Sequence, residues 1–172
     1  MIAVRVVVDD QGFGANAVAC DLAGEVVRTF GEIRLRVFGT SMAPSILPRD
    51  LISVQRAGLD QIAPGETVVF TRNGGLVVHR VVTKTTTLGQ SYLITRGDRL
   101  RENDPPVSSS ELLGRVHLIE RGRRRLQPAT GLSVSDRIII LLLRSSDRAT
   151  YLYLRLAALW QRPFPRSAES RL

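Results

Sequence analysis

TVVFTRNGGLVVHRVV, residues 67–82, decides the fold class. Two runs rich in β-branched residues flank Asn73-Gly74-Gly75, and Asn-Gly accepts the positive φ angles of a tight hairpin turn. The stretch therefore predicts two antiparallel strands, and similar signals recur on either side of it. Ile33, Leu35 and Val37 alternate with Glu32, Arg34 and Arg36, the pattern of a half-exposed strand. Leu51 to Val54, Tyr92 to Thr95 and Val116 to Ile119 read as further short strands, and Pro64-Gly65 as a turn. Ahead of these, Val18, Ala19, Leu22, Val26 and Phe30 recur at helical spacing until Gly31 stops the pattern, which predicts an amphipathic helix within residues 15–30. The expected organisation is an N-terminal strand and helix over 1–30, a mostly β domain over 31–127 and a basic helical tail over 128–172.

Composition narrows the class. With 172 residues and 44% hydrophobic content, the chain can bury a core and is not a disordered protein. A single cysteine, Cys20, permits no internal disulfide and leaves the redox compartment undecided, though compatible with a reducing cytoplasm, and nothing in the sequence reads as a zinc site. The first thirty residues carry Asp9, Asp10, Asp21 and Glu25 and no long apolar core, so neither a secretory signal nor a membrane span is expected there. The expected location is cytoplasmic, with peripheral membrane contact open.

Charge is unevenly placed. Residues 1–114 hold twelve Lys or Arg and twelve Asp or Glu, whereas residues 115–172 hold twelve Arg and four acids, so the formal charge of +8 lies in the last third. Within the tail, IIILLL and YLYLRLAALW are interrupted by Arg137, Arg144, Asp147, Arg148 and Arg155, which leaves no span of about twenty apolar residues. Two Arg-rich amphipathic helices with Tyr151, Tyr153 and Trp160 suit either an anionic membrane interface or packing on the domain or on a second copy. RGRRR, residues 121–125, reads as a charged hairpin turn. Nucleic acid is not the expected partner, because no base-stacking aromatics accompany the arginines.

Three stretches carry chemistry. In LVVHRVV, His79 shares a strand face with Val77 and Val81. FGTSMAPSILPRD, residues 38–50, combines a glycine, small hydroxyls and two prolines, which suit neither strand nor helix interior, so it forms a rigid turn that presents Ser41. A serine hydroxyl is a weak nucleophile until a base takes its proton, and His79 is a candidate base. ITRGDRLRENDPPV, residues 94–107, adds Asp98 and Asp104. A serine, a strand histidine and a loop carboxylate are the parts of a triad whatever their order in sequence. Taken singly, each has a plainer reading: a packed histidine, an ordinary Gly-Asp turn, a solvated acid. His117, on an apolar strand, reads as structural.

Together the ordered motifs resemble the signal peptidase I family of serine proteases. Ser41-Met42-Ala43-Pro44 matches the family's nucleophile turn and Arg49-Asp50 the pair that closes it. PGETVVF is similar to its Pro-Gly-Asp-Val-Val strand, HRVV stands where the family has its base followed by Arg-Val, and Gly97-Asp98 with Asp104 matches its last motif. Histidine at 79 resembles the endoplasmic-reticulum, archaeal and sporulation-type branch. Lys84, five positions along the same strand, is expected on the opposite face. The resemblance implies a compact antiparallel β domain of the signal-peptidase and SOS-repressor type, with Ser41 as nucleophile and His79 as base. Asp98 or Asp104 would orient the histidine, with some preference for Asp104. Gly39, Thr40 and Met42 would lie around the oxyanion and substrate, with backbone N–H donors because Gly39 replaces the family's serine. Neither metal nor cofactor is implied. The implied substrate is a peptide with small residues before the cleaved bond. The competing function is a non-catalytic or self-cleaving regulatory domain of the same fold, for which Ala23-Gly24 and Ala57-Gly58 are candidate bonds.

Overall fold

The computed structural model describes residues 17–145 and 147–160. The strand expected near the N-terminus and the last twelve residues of the basic tail lie outside the described residues, as does the Trp160 side chain. Helix α1 (Ala17–Phe30) leads into strands β1 (Glu32–Arg36), β2 (Leu51–Gln55), β3 (Thr67–Arg72), β4 (Gly75–Thr87), β5 (Gln90–Arg96), β6 (Leu112–Arg121) and β7 (Arg124–Leu126). Helices α2 (Val134–Ser145) and α3 (Asp147–Trp160) follow. The strands form one antiparallel sheet in the order β1-β2-β6-β3-β4-β5, with β7 continuing on β6.

The hairpin forms as its turn chemistry demands. Asn73 and Gly74 adopt φ of 50° and 72°, and Arg72 pairs with Gly75 across the turn, so the two-residue loop follows the twist of its strands. Strand β4 runs to Thr87, well past the LVVHRVV motif, and forms a second hairpin with β5. That extension contains a bulge between Val81 and Thr83. A second bulge, at Ser53/Val54 where β2 meets β6, leaves His117 without a cross-strand partner. His117 lies within hydrogen-bonding distance of Glu32, at 3.2 Å, on the surface.

Two cores sandwich the sheet. On one side α1 buries Cys20, Ala23, Val26 and Val27 against Ile33, Leu35, Ile52, Val54, Val69 and Val78, the apolar face that the helical spacing requires. On the other, Val68, Phe70, Val81, Leu93 and Val107 form a smaller cluster. A third cluster joins the Ser41 turn to the tail, with Ala43 and Leu47 packing against Leu143 of α2 and, less deeply, Tyr153 and Ala157 of α3. Helix α2 begins at a capping box: the Asp136 N–H donates to Ser133 Oγ at 3.1 Å and the Ser133 N–H to the Asp136 carboxylate at 3.0 Å. Its opposite face leaves Val134, Ile138, Leu141 and Leu142 exposed. Among the described residues no helix is long and apolar enough to cross a membrane.

Candidate active site

The Ser41 turn is held from below. Asp50 is wholly buried and accepts the Leu47 N–H at 2.8 Å, closing the turn on itself. Arg121, at the end of β6, donates from both Nε and a terminal nitrogen to the same carboxylate, the latter at 2.8 Å, and also to the Ser45 carbonyl at 2.9 Å. The first arginine of RGRRR is thus a buttress of the Ser41 turn. Arg49 carries a φ of 75°, a region that favours glycine.

Strand β4 sends its next pair of functional side chains to opposite faces. His79 is buried, 4% exposed, and meets Phe70 edge-on with ring centroids 6.2 Å apart. Its Nε2 lies 3.1 Å from Ser41 Oγ and its Nδ1 2.6 Å from Asp104 Oδ2. A carboxylate only accepts, so the proton belongs on Nδ1, which leaves the Nε2 lone pair to receive the serine O–H. The Thr95 hydroxyl donates to the same Asp104 oxygen at 2.6 Å. Burial pushes the Asp104 carboxyl up, but hydrogen bonds from His79 and Thr95 and the charges of His79 and Arg72 outweigh it and hold the carboxyl below the ordinary range.

Asp98 stands elsewhere. Arg80 donates to its two oxygens from Nε and a terminal nitrogen, both at 2.8 Å, and reaches the Gly65 carbonyl at 2.8 Å and the Ala129 carbonyl. Asp98 therefore does not reach His79; it anchors the arginine on the far face of the strand. Lys84 requires a different correction. The bulge at Val81/Thr83 adds a residue to β4, so Lys84 pairs with Leu93 and returns to the face of His79. It is kept from Ser41 by distance along the strand, roughly 16 Å at about 3.3 Å per residue, and its Nζ donates to the Asp60 carbonyl at 3.2 Å.

Around Ser41, Gly39 and Thr40 precede it and Met42 is buried beneath the turn. Arg99 donates to Thr40 Oγ1 at 2.8 Å, and its backbone N–H donates to the Ser41 carbonyl at 2.8 Å. Among the described residues the Ser41 N–H makes no hydrogen bond. Thr95, Gly97, Arg99 and Arg121 escaped the reading of the motifs as site residues. For Thr95, Gly97 and Arg99 a signal existed, since all three belong to the stretch 94–107 that supplies Asp98 and Asp104.

Among the described residues no group of His, Cys, Asp and Glu has the arrangement of a metal site. No curated protein matches the chain. Residues 16–116, more than half of the sequence, match the family described as Peptidase S24-like. That family includes serine peptidases and self-cleaving regulators. The matched region spans Ser41, His79 and Asp104, and the chain belongs to the Peptidase S24-like family.

Proposed function

We propose that this protein is a serine endopeptidase that cleaves leader or signal-peptide-like segments in trans. The observation that carries the reading is the continuous relay from Ser41 Oγ through His79 to Asp104, with contacts of 3.1 and 2.6 Å. Ser41 Oγ attacks the scissile carbonyl while its proton passes to His79 Nε2. Asp104 stabilises the resulting imidazolium, which then protonates the leaving amine, and water repeats the sequence to release the acyl group. The Ser41 N–H supplies one oxyanion donor. The Thr40 hydroxyl, already accepting from Arg99, keeps its own proton for a second. An extended substrate would add as a strand with small residues before the cut.

The self-cleaving alternative meets two obstacles. Ala23-Gly24 lies inside α1 with Ala23 fully buried, and a peptidase needs its substrate bond extended. Ala57 packs in the smaller core. Incubating the protein alone, and then with an Ala-x-Ala peptide, distinguishes the readings: cleavage in trans that Ser41→Ala abolishes supports the peptidase, self-cleavage the regulator. Absence of both sinks the catalytic reading.

The tail suits peripheral attachment to an anionic bilayer. Ile138 and Leu142 project outward from α2, and Arg148 and Arg155 supply the complementary charge. Vesicle binding that Ile138→Glu and high salt both weaken is the expected result; equal binding by Ile138→Glu removes this role.

A further inference from the structure

A cavity of about 390 Å³ lies between the adjoining parts of β4 and β5 and the helix α2. Gly97, in its wall, backs directly onto the dyad: a β-carbon built on it would stand 2.9 Å from Ser41 Cβ and 3.0 Å from His79 Nε2. The cavity lies on the Arg80 face of β4, opposite the His79 face, and Gly97 borders both it and the dyad, so a side chain of a bound peptide would enter it by passing round Gly97.

The charge lining the cavity is one-sided. Arg80, Arg96, Arg137 and Arg144 face a single acid, Asp98, and Asp98 is already occupied by Arg80. Arg144 spends its donors on the carbonyls of Asp98, Arg99 and Leu100. Among the described residues Arg96 and Arg137 have no acidic partner. Arg96 also stands directly opposite Arg80 in the β4–β5 register, and like charges opposed across two strands cost stability. Burial and the charges of Arg96 and Arg101 push the Arg144 guanidinium down, the effect expected of positive charge in excess. The remaining wall is aliphatic, with Val82, Ile140 and Leu141.

We propose that this cavity is a specificity subsite for an acidic side chain, glutamate above all, of the peptide substrate. The proposal rests on the peptidase reading and refines its substrate class to small residues at the cut with a carboxylate nearby. The methylene stem lies against Val82 and Leu141, and the guanidinium forks of Arg96 and Arg137 donate to the carboxylate.

The test uses Ala-x-Ala peptides in pairs that carry Glu or Gln at successive positions around the cut. At one position the Glu peptide is expected to show a kcat/KM about tenfold or more above its Gln partner, the scale of a charge-assisted hydrogen bond. That ratio falls toward one in Arg96→Gln and in Arg137→Gln, while Arg123→Gln, in the exposed β6–β7 turn, retains it. Binding of the same labelled peptides to Ser41→Ala separates the two readings. A Glu preference in binding that Arg96→Gln removes sustains the subsite even if nothing is cleaved, in which case the peptidase reading alone falls. Equal treatment of Glu and Gln at every position, or a preference untouched by both arginine substitutions, overturns the subsite. Displacement of the Glu peptide by inorganic phosphate at the peptide's own concentration makes this a small-anion site and overturns it equally.

Discussion

Gly97 and Ser41 approach so closely that a β-carbon on the glycine would stand 2.9 Å from that of the serine. The 94–107 stretch passes beside Ser41 where only a hydrogen fits, and Leu100, at 3.0 Å, closes the third side. Gly97→Ala is expected to part Ser41 from His79 and lower kcat by about 100-fold, the penalty of a misplacement near 1 Å. Steady-state kinetics beside thermal unfolding checks this, and a wild-type kcat in Gly97→Ala would refute the constraint.

The two acids should separate by assay. Asp104→Asn leaves His79 Nδ1 facing an amide that cannot stabilise the imidazolium, with an expected fall in kcat of about 10⁴-fold and a retained fold. Asp98→Ala strands the Arg80 guanidinium and appears first as lost stability, about 3–5 kcal/mol by denaturant unfolding. The reverse pattern would exchange their roles.

Stability at low pH carries the signature of Asp104. Its native carboxyl titrates below the ordinary range, so its contribution is complete above the unfolded value of about 4 and is lost as pH falls from there through the lower native value. Glu111 shifts the same way: burial pushes it up, but the N–H and hydroxyl of Ser108 and the nearby Arg72 outweigh that. Urea midpoints measured from pH 7 to pH 2 should fall less steeply in Asp104→Asn, with the Glu111 share remaining. An acid limb as steep as the wild type's would contradict the assignment.

Arg121 and Asp50 should behave as a unit. Arg121→Met takes the guanidinium away from a wholly buried carboxylate and is expected to cost about 3–5 kcal/mol. The double variant Arg121→Met/Asp50→Asn should lose less than the two single losses combined, by denaturant unfolding. Additive losses would mean that the pair does not hold the turn.

Local rules determined much of this protein. The helix over α1, the Asn73-Gly74 hairpin and the rigid turn at Ser41 each follow from contacts within a few residues, which periodicity and turn chemistry record directly. Tertiary structure decided the rest. Asp98 and Asp104 lie in one loop with similar local signals, and the choice between them came from the opposite faces of β4: Arg80 holds Asp98 on one side, while His79 and Thr95 meet Asp104 on the other. The bulge after Val81 has no glycine or proline to announce it, so the face taken by Lys84 depended on the β4–β5 register. The buttress from Arg121 to Asp50 spans 71 positions. Pairings at that separation depend on which strands become neighbours, a choice made by burying two faces of one sheet at once rather than by any local run of residues.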